Sequence, residues 1–176
     1  MKRSIGLWQL FGFAVTALGG TILHFLYDWL GEAWCIAPFS GVNESTWEHM
    51  KILFFPMLLF ACVQCAFFHA DFLGFWWIKL IGIVIGTVSI PVLFYTYNGA
   101  FGKTPDWLNI LFFFLSAGIA YFVEYFLFKK DFHLPNAWIA IVLLLIFAIA
   151  FAVFSFYPPK LPLFQDPITS KFGILV

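Results

Sequence analysis

Charge is what this sequence has least of. Only 10% of its 176 residues are Asp, Glu, Lys or Arg, where a soluble domain carries about a quarter, so water is excluded as the solvent for most of the surface. Nine basic and nine acidic residues cancel, and without a basic excess there is no electrostatic footprint for nucleic acid or another polyanion. Arginine occurs once, at Arg3, against eight lysines; that bias carries no functional reading. Cysteine is scarce as well. Three is an odd count, and the C-x-x-C pair Cys62 and Cys65 sits in an apolar run that lacks the exposed, electropositive setting of a reactive thiol. Both read as small helix-packing residues, while Cys35 falls in a polar loop. No G-x-S-x-G, H-E-x-x-H, phosphate loop or dinucleotide fingerprint occurs. What fills the chain instead is apolar: 63% of residues, with 26 Phe and 8 Trp. The mean hydropathy of +0.96 makes lipid the solvent.

Five apolar runs are long enough for a bilayer core of about 30 Å, which takes about 20 helical residues. They cover Ile5 to Tyr27, Met50 to His69, Leu73 to Tyr97, Trp107 to Phe128 and Ala137 to Tyr157. The expected fold is therefore an all-α integral membrane protein, a bundle of five transmembrane helices over residues 1–157 followed by a Pro-rich extracytoplasmic tail, 158–176. A secretory signal is the other reading of Lys2 and Arg3 before an apolar run, with Ala17-Leu18-Gly19 as a small-x-small cleavage site, but the run continues through Tyr27, longer than a signal segment. Between the first two runs lies the one long connection, Asp28 to His49, an outer loop of polar and aromatic residues. Lys2, Arg3, Lys129 and Lys130 flank alternate helix ends and place that side in the cytoplasm, so the N-terminus is expected inside and the C-terminus outside. Trp8, Trp29, Trp47, Trp76, Trp77, Trp107 and Trp138 read as interfacial belts, and His69 and His133 as solvated residues of cytoplasmic turns.

Local signals refine the elements. Ser45-Thr46-Trp47-Glu48 is a capping box at the start of the second helix. Pro56 and Pro91 should bend the second and third. Gly82 and Gly86 form a G-x-x-x-G that lets another helix approach closely. Lys79 and Glu124, each inset on the cytoplasmic half, are too costly to face lipid alone and are expected to pair. In the tail, Pro158-Pro159-Lys160-Leu161-Pro162 favours an extended segment and Asp166-Pro167 a turn, with Phe164 and Phe172 as anchors that fold the tail back over the outer mouth.

Three stretches carry a resemblance: His24-Phe25-Leu26-Tyr27-Asp28-Trp29, then Val42-Asn43-Glu44-Ser45-Thr46-Trp47-Glu48-His49-Met50-Lys51, then Pro158-Pro159 through Pro162-Leu163-Phe164 to Asp166-Pro167. Together they resemble a family of small multi-pass bacterial membrane proteins known only as a domain of unknown function. The resemblance implies an all-helical membrane fold in a bacterial cytoplasmic membrane. It implies no activity.

Chemistry concentrates at the outer boundary. His24 and Asp28 are i, i+4 and share a helix face with Thr21; the loop must return Asn43, Glu44, Glu48 and His49 to the same level. Tyr95 and Asn98 on the third helix are candidate walls of a pocket there. Read as a metal site, His24, Asp28, Glu48 and His49 supply nitrogen and oxygen to a divalent transition metal such as zinc, iron or manganese, and a spare carboxylate serves as general base. Read as structure, Glu48 closes the capping box, Glu44 favours the positive helix end, Asn43 forms a turn and His24 bonds Asp28 or Tyr27. The functional classes left open are binding or transport of a small molecule or cation, as a transport subunit or sensor, a membrane-embedded metal-dependent hydrolase, and a structural or assembly subunit. Zinc hydrolases with three histidines differ from this chain, which offers His24 and His49 on one side.

Overall fold

The structure, a computed structural model, describes residues 2–67, 72–130, 132 and 134–174. It is all-α: α1 (Lys2–Trp29), α2 (Thr46–Phe67), α3 (Phe72–Phe101), α4 (Asp106–Lys129) and α5 (Ala137–Phe156), with a short 3-10 turn at Pro162–Phe164 in the tail. All five helices are long and apolar enough to cross a membrane, and the chain is a multi-pass membrane protein. His69 and His133 lie outside the described residues.

Helices α1, α2, α3 and α4 form a ring in which each packs on the next, α4 closing back on α1, and α5 lies in the outer groove between α2 and α3. The pattern of burial follows that geometry. On α5 the buried positions are Ala137, Ala140, Leu144, Phe151 and Ser155, one stripe at helical spacing, while Ile139, Val142, Leu145, Ile146 and Ile149 are exposed. An isolated soluble bundle would not leave that surface apolar; lipid covers it. α2 holds the middle of the molecule, touching the other four helices and the tail turn. Leu53, Phe54, Met57, Phe60 and Ala61 on it are almost wholly buried. Pro56 and Pro91 lie inside helices that continue through them.

The α3–α4 seam is the most extensive helix contact. A Cβ on Gly86 would stand 2.8 Å from that of Ala120, and one on Gly82 would meet the side chain of Glu124, 2.6 Å from Oε1. Only glycine admits that approach. In the space so made, Lys79 Nζ lies 2.5 Å from Glu124 Oε2 with both residues fully buried. The rings of Phe60, Phe75, Tyr121 and Phe128 surround the ammonium at 5.6–5.7 Å, a cation–π cage that adds to the ion pair. Tyr121 itself bonds Thr16 of α1, Oγ1 to OH, at 2.7 Å.

Two packing expectations change. Trp47 is a core residue and not part of a belt: it is buried against Phe151, 4.5 Å between ring centroids, and Phe164, 4.7 Å. The cause is the tail, whose 3-10 turn folds onto α2 and lays Phe164 over the indole. Trp29, Trp107 and Trp138 do face outward. Cys62 is exposed on α2, so Cys65 alone is partly packed, beside the small cluster of Ile5, Phe75, Ile78 and Phe128. All three cysteines are free.

The tail is fastened at several points. Ile174 N–H donates to the Ser155 carbonyl at 3.0 Å, Gln165 and Phe172 form an antiparallel bridge, and Asp166 N–H donates to the Lys171 carbonyl at 2.9 Å. Asp166 Oδ1 accepts from Ile168 N at 2.7 Å, an Asx turn that sets the direction of Pro167 and Ile168.

Candidate functional site

The loop from α1 to α2 is pinned to the helix it leaves. Ser40 inserts its hydroxyl between two groups one helical turn apart, donating to the Leu23 carbonyl while accepting from Tyr27 N–H at 2.9 Å. Gly41 N–H also donates to Leu23 O, at 3.0 Å, which lays the loop against the backbone of His24. Glu44, three residues on, is thereby held beside His24. Asn43 Oδ1 then accepts from Ser45 N–H at 2.9 Å, and Ser45 Oγ accepts from Glu48 N–H at 3.4 Å as N-cap of α2.

This junction brings three side chains together. Glu44 Oε1 stands 3.6 Å from His24 Nε2, and its Oε2 stands 3.7 Å from His49 Nε2. The two imidazole centroids are 5.5 Å apart. One ligand atom from each residue lies within 4.8 Å of the others. The other nitrogen of His49, Nδ1, is 2.9 Å from the Ser45 carbonyl. A carbonyl only accepts, so Nδ1 carries a proton, and in the neutral imidazole it is Nε2 that presents a lone pair to the cluster. That is the outer-shell arrangement that orients a metal-binding imidazole.

Glu48 does not join them. Although four residues from Glu44, it turns inward: Glu44 precedes the N-cap and Glu48 is already on the helix. Its carboxylate pairs with Lys51 and accepts from Val42 N–H at 3.1 Å. Lys51 Nζ donates to the Ala37 carbonyl at 2.8 Å and to Ser155 Oγ at 2.6 Å, and Ser155 Oγ is 3.1 Å from Glu48 Oε1. All three side chains are buried. The network ties loop, α2 and α5 together, and the capping box is closed on Val42 in place of Ser45. Asp28 is exposed and outside the three-residue group. The i, i+3 spacing of Glu48 and Lys51 was the available signal for their pairing; Ser155 and Ala37 had none.

The trio lies on the seam between two adjoining hollows. The more polar one, about 530 Å³, is lined by Glu44, His49, Asn98, Lys103, Thr104 and Asn109 together with Ile90, Phe94 and Phe112. The apolar one, about 500 Å³, runs between α1 and α4 over Thr21, Phe25, Ile52, Ile110, Phe113 and Phe114. Glu44, His49, Asn109 and Ile168 border both. Asn98 is a wall, its Oδ1 accepting from Thr104 N and Oγ1 at 2.8 and 2.7 Å; Tyr95 is exposed and lines neither hollow. Asn109, Lys103 and Ile168 join the site through tertiary packing.

A sequence family described as a family of unknown function (DUF6512) matches residues 1–174. The chain belongs to that family. Neither a curated protein nor a solved structure matches it. In this DUF6512 chain, the stretch Asn43 to Lys51 thus has two separate tasks: Glu44 and His49 face the hollows, and Glu48 and Lys51 hold the junction shut behind them.

Proposed function

We propose that the chain binds a divalent transition-metal cation at His24, Glu44 and His49, in an outward-facing pocket of a bacterial cytoplasmic membrane, as the ligand-binding part of a transport or sensing system. The observation that carries this reading is the convergence of two imidazole nitrogens and one carboxylate, with His49 held in the metal-binding tautomer by the Ser45 carbonyl. The His-to-carboxylate separations of 3.6 and 3.7 Å are close to the edge of about 3.4 Å expected for ligands around tetrahedral zinc. All three ligand atoms lie within 4.8 Å of one another, and binding one ion draws them closer. Mixed nitrogen and oxygen ligation favours zinc, iron or manganese over calcium or magnesium. Three protein ligands leave one position open toward the hollows. The hydrolase alternative takes a spare carboxylate as general base; Glu48 is engaged by Lys51 and Asp28 stands outside the group, which favours binding over hydrolysis. Orientation rests on Lys129 and Lys130, at the end of α4 opposite the pocket.

Elemental analysis of detergent-purified protein and calorimetric titration with zinc test the proposal. About one zinc per chain is expected, with His24→Ala, Glu44→Gln and His49→Ala each abolishing retention and Asp28→Ala keeping it. Zinc binding unchanged in the three variants, or absent from the wild type, would overturn it.

A further inference from the structure

The hollows on either side of the trio differ in character, and the difference selects a class of ligand. On one side Lys103, Asn98, Thr104 and Asn109 present polar groups. Lys103 is exposed at the rim and has no ion-pair partner among the described residues, and the side-chain oxygen of Asn109, an acceptor, is buried without a hydrogen bond. On the other side the walls are Phe25, Ile52, Phe113 and Phe114, with Ile110 exposed at the rim. Ile110 is 60% exposed near the start of a membrane-spanning helix, so that hollow has an apolar rim facing outward from the bundle. Ile168 of the tail borders both halves.

A free cation would use the seam and leave about 500 Å³ of apolar space with nothing to fill it. A neutral hydrocarbon would leave the charge of Lys103, on the rim of the more polar hollow, without a counter-charge. Only a molecule with a charged head and an apolar chain uses both halves. The sign of the head follows from the site. Glu44 alone would repel an anion, but a divalent cation held by Glu44 and two neutral imidazoles reverses the local charge, and Lys103 adds to it. An anionic oxygen then takes the open position on the ion, and the unpaired charge of Lys103 is satisfied as well.

We propose that the ligand of this pocket is an anionic phospholipid drawn laterally from the bilayer, with its phosphate at the cation and Lys103 and an acyl chain between α1 and α4. This rests on the cation reading above. The experiment uses the full chain in detergent, loaded with zinc and titrated with phosphatidylglycerol or with phosphatidylcholine of the same acyl chains. Native mass spectrometry counts retained lipid and thermal unfolding reports the stabilisation that specific binding produces. One phosphatidylglycerol per chain is expected, bound at least about tenfold more tightly than phosphatidylcholine, a difference of about 1.4 kcal/mol. Lys103→Gln should erase that preference, and Ile110→Trp, which fills the apolar half from its exposed rim, should block both lipids. Equal retention of the two lipids, or wild-type phosphatidylglycerol binding in both variants, would refute the lipid assignment. Zinc stoichiometry read on the same samples separates the two claims: zinc bound without lipid preference removes only the phospholipid, whereas no zinc removes the cation and with it the charge argument for an anionic head.

Discussion

Glu44 and Glu48 are four residues apart and chemically alike, yet one faces a pocket and the other is sealed in the core. The helix start decides it. Ser45 caps α2, so Glu44 lies before the helix with its side chain free to meet His24, and Glu48 lies in the first turn, directed at Lys51. Because the Lys51 ammonium is fully buried, its partner is indispensable: Glu48→Gln should cost about 3–5 kcal/mol, the range for breaking a buried ion pair. The double variant Glu48→Leu/Lys51→Met should be closer to wild type than either single change, as read by thermal unfolding in detergent. The same asymmetry is expected of Lys79 and Glu124, whose approach was foreseeable because neither charge can face lipid at low cost. Ser40 is the residue whose part was least visible. Its hydroxyl looks ordinary in the sequence, and only the folded loop inserts it between Tyr27 N–H and Leu23 O.

At the level of elements, the seam between α3 and α4 and the junction between α1 and α2 make contrasting demands. The seam depends on absent side chains. Gly82→Ala would drive a methyl group into the Glu124 carboxylate, so a loss of about 1–3 kcal/mol is expected from overpacking, whereas Gly118→Ala, whose Cβ would have only Phe13 at 4.0 Å, should be close to neutral; unfolding of both variants under the same conditions checks the contrast. The junction depends on a hydroxyl. Ser40→Ala leaves Tyr27 N–H without its side-chain partner and releases the loop that positions Glu44, so it should destabilise the fold by about 1–2 kcal/mol and weaken zinc binding with no ligand atom removed. Calorimetry on that variant measures both effects. Helix boundaries were legible to within a few residues, since apolar length and a capping motif are local properties. α1 and α3 nevertheless run further than their apolar runs, to Trp29 and Phe101, because polar interfacial residues continue a helix once it has formed.

For the molecule as a whole, the tail completes the end of the bundle that holds the pocket. Phe164 covers Trp47, and Ile168 borders both hollows. Phe164→Ala should therefore lower stability by about 3–5 kcal/mol, as for a buried aromatic, and should make the tail a faster proteolytic target, scored by the appearance of a fragment ending near Tyr157. Five spans also require the two termini to lie on opposite sides of the membrane. Reporter fusions at each end are expected to read different compartments, the N-terminal one cytoplasmic.

Sequence alone was sufficient for the solvent, the number of spans and the pairing of Lys79 with Glu124, because each follows from hydrophobic length or from the cost of an isolated charge in lipid. Tertiary structure decided which carboxylate joins His24 and His49, that Lys103 and Asn109 belong to the same cavity, and that Trp47 is core and not belt. Those outcomes depend on where a loop of polar residues closes and what the tail covers. Neither is written in any local period of the chain: a one-residue shift of a helix cap turns a side chain through about 100°, and that angle separates a pocket from a core.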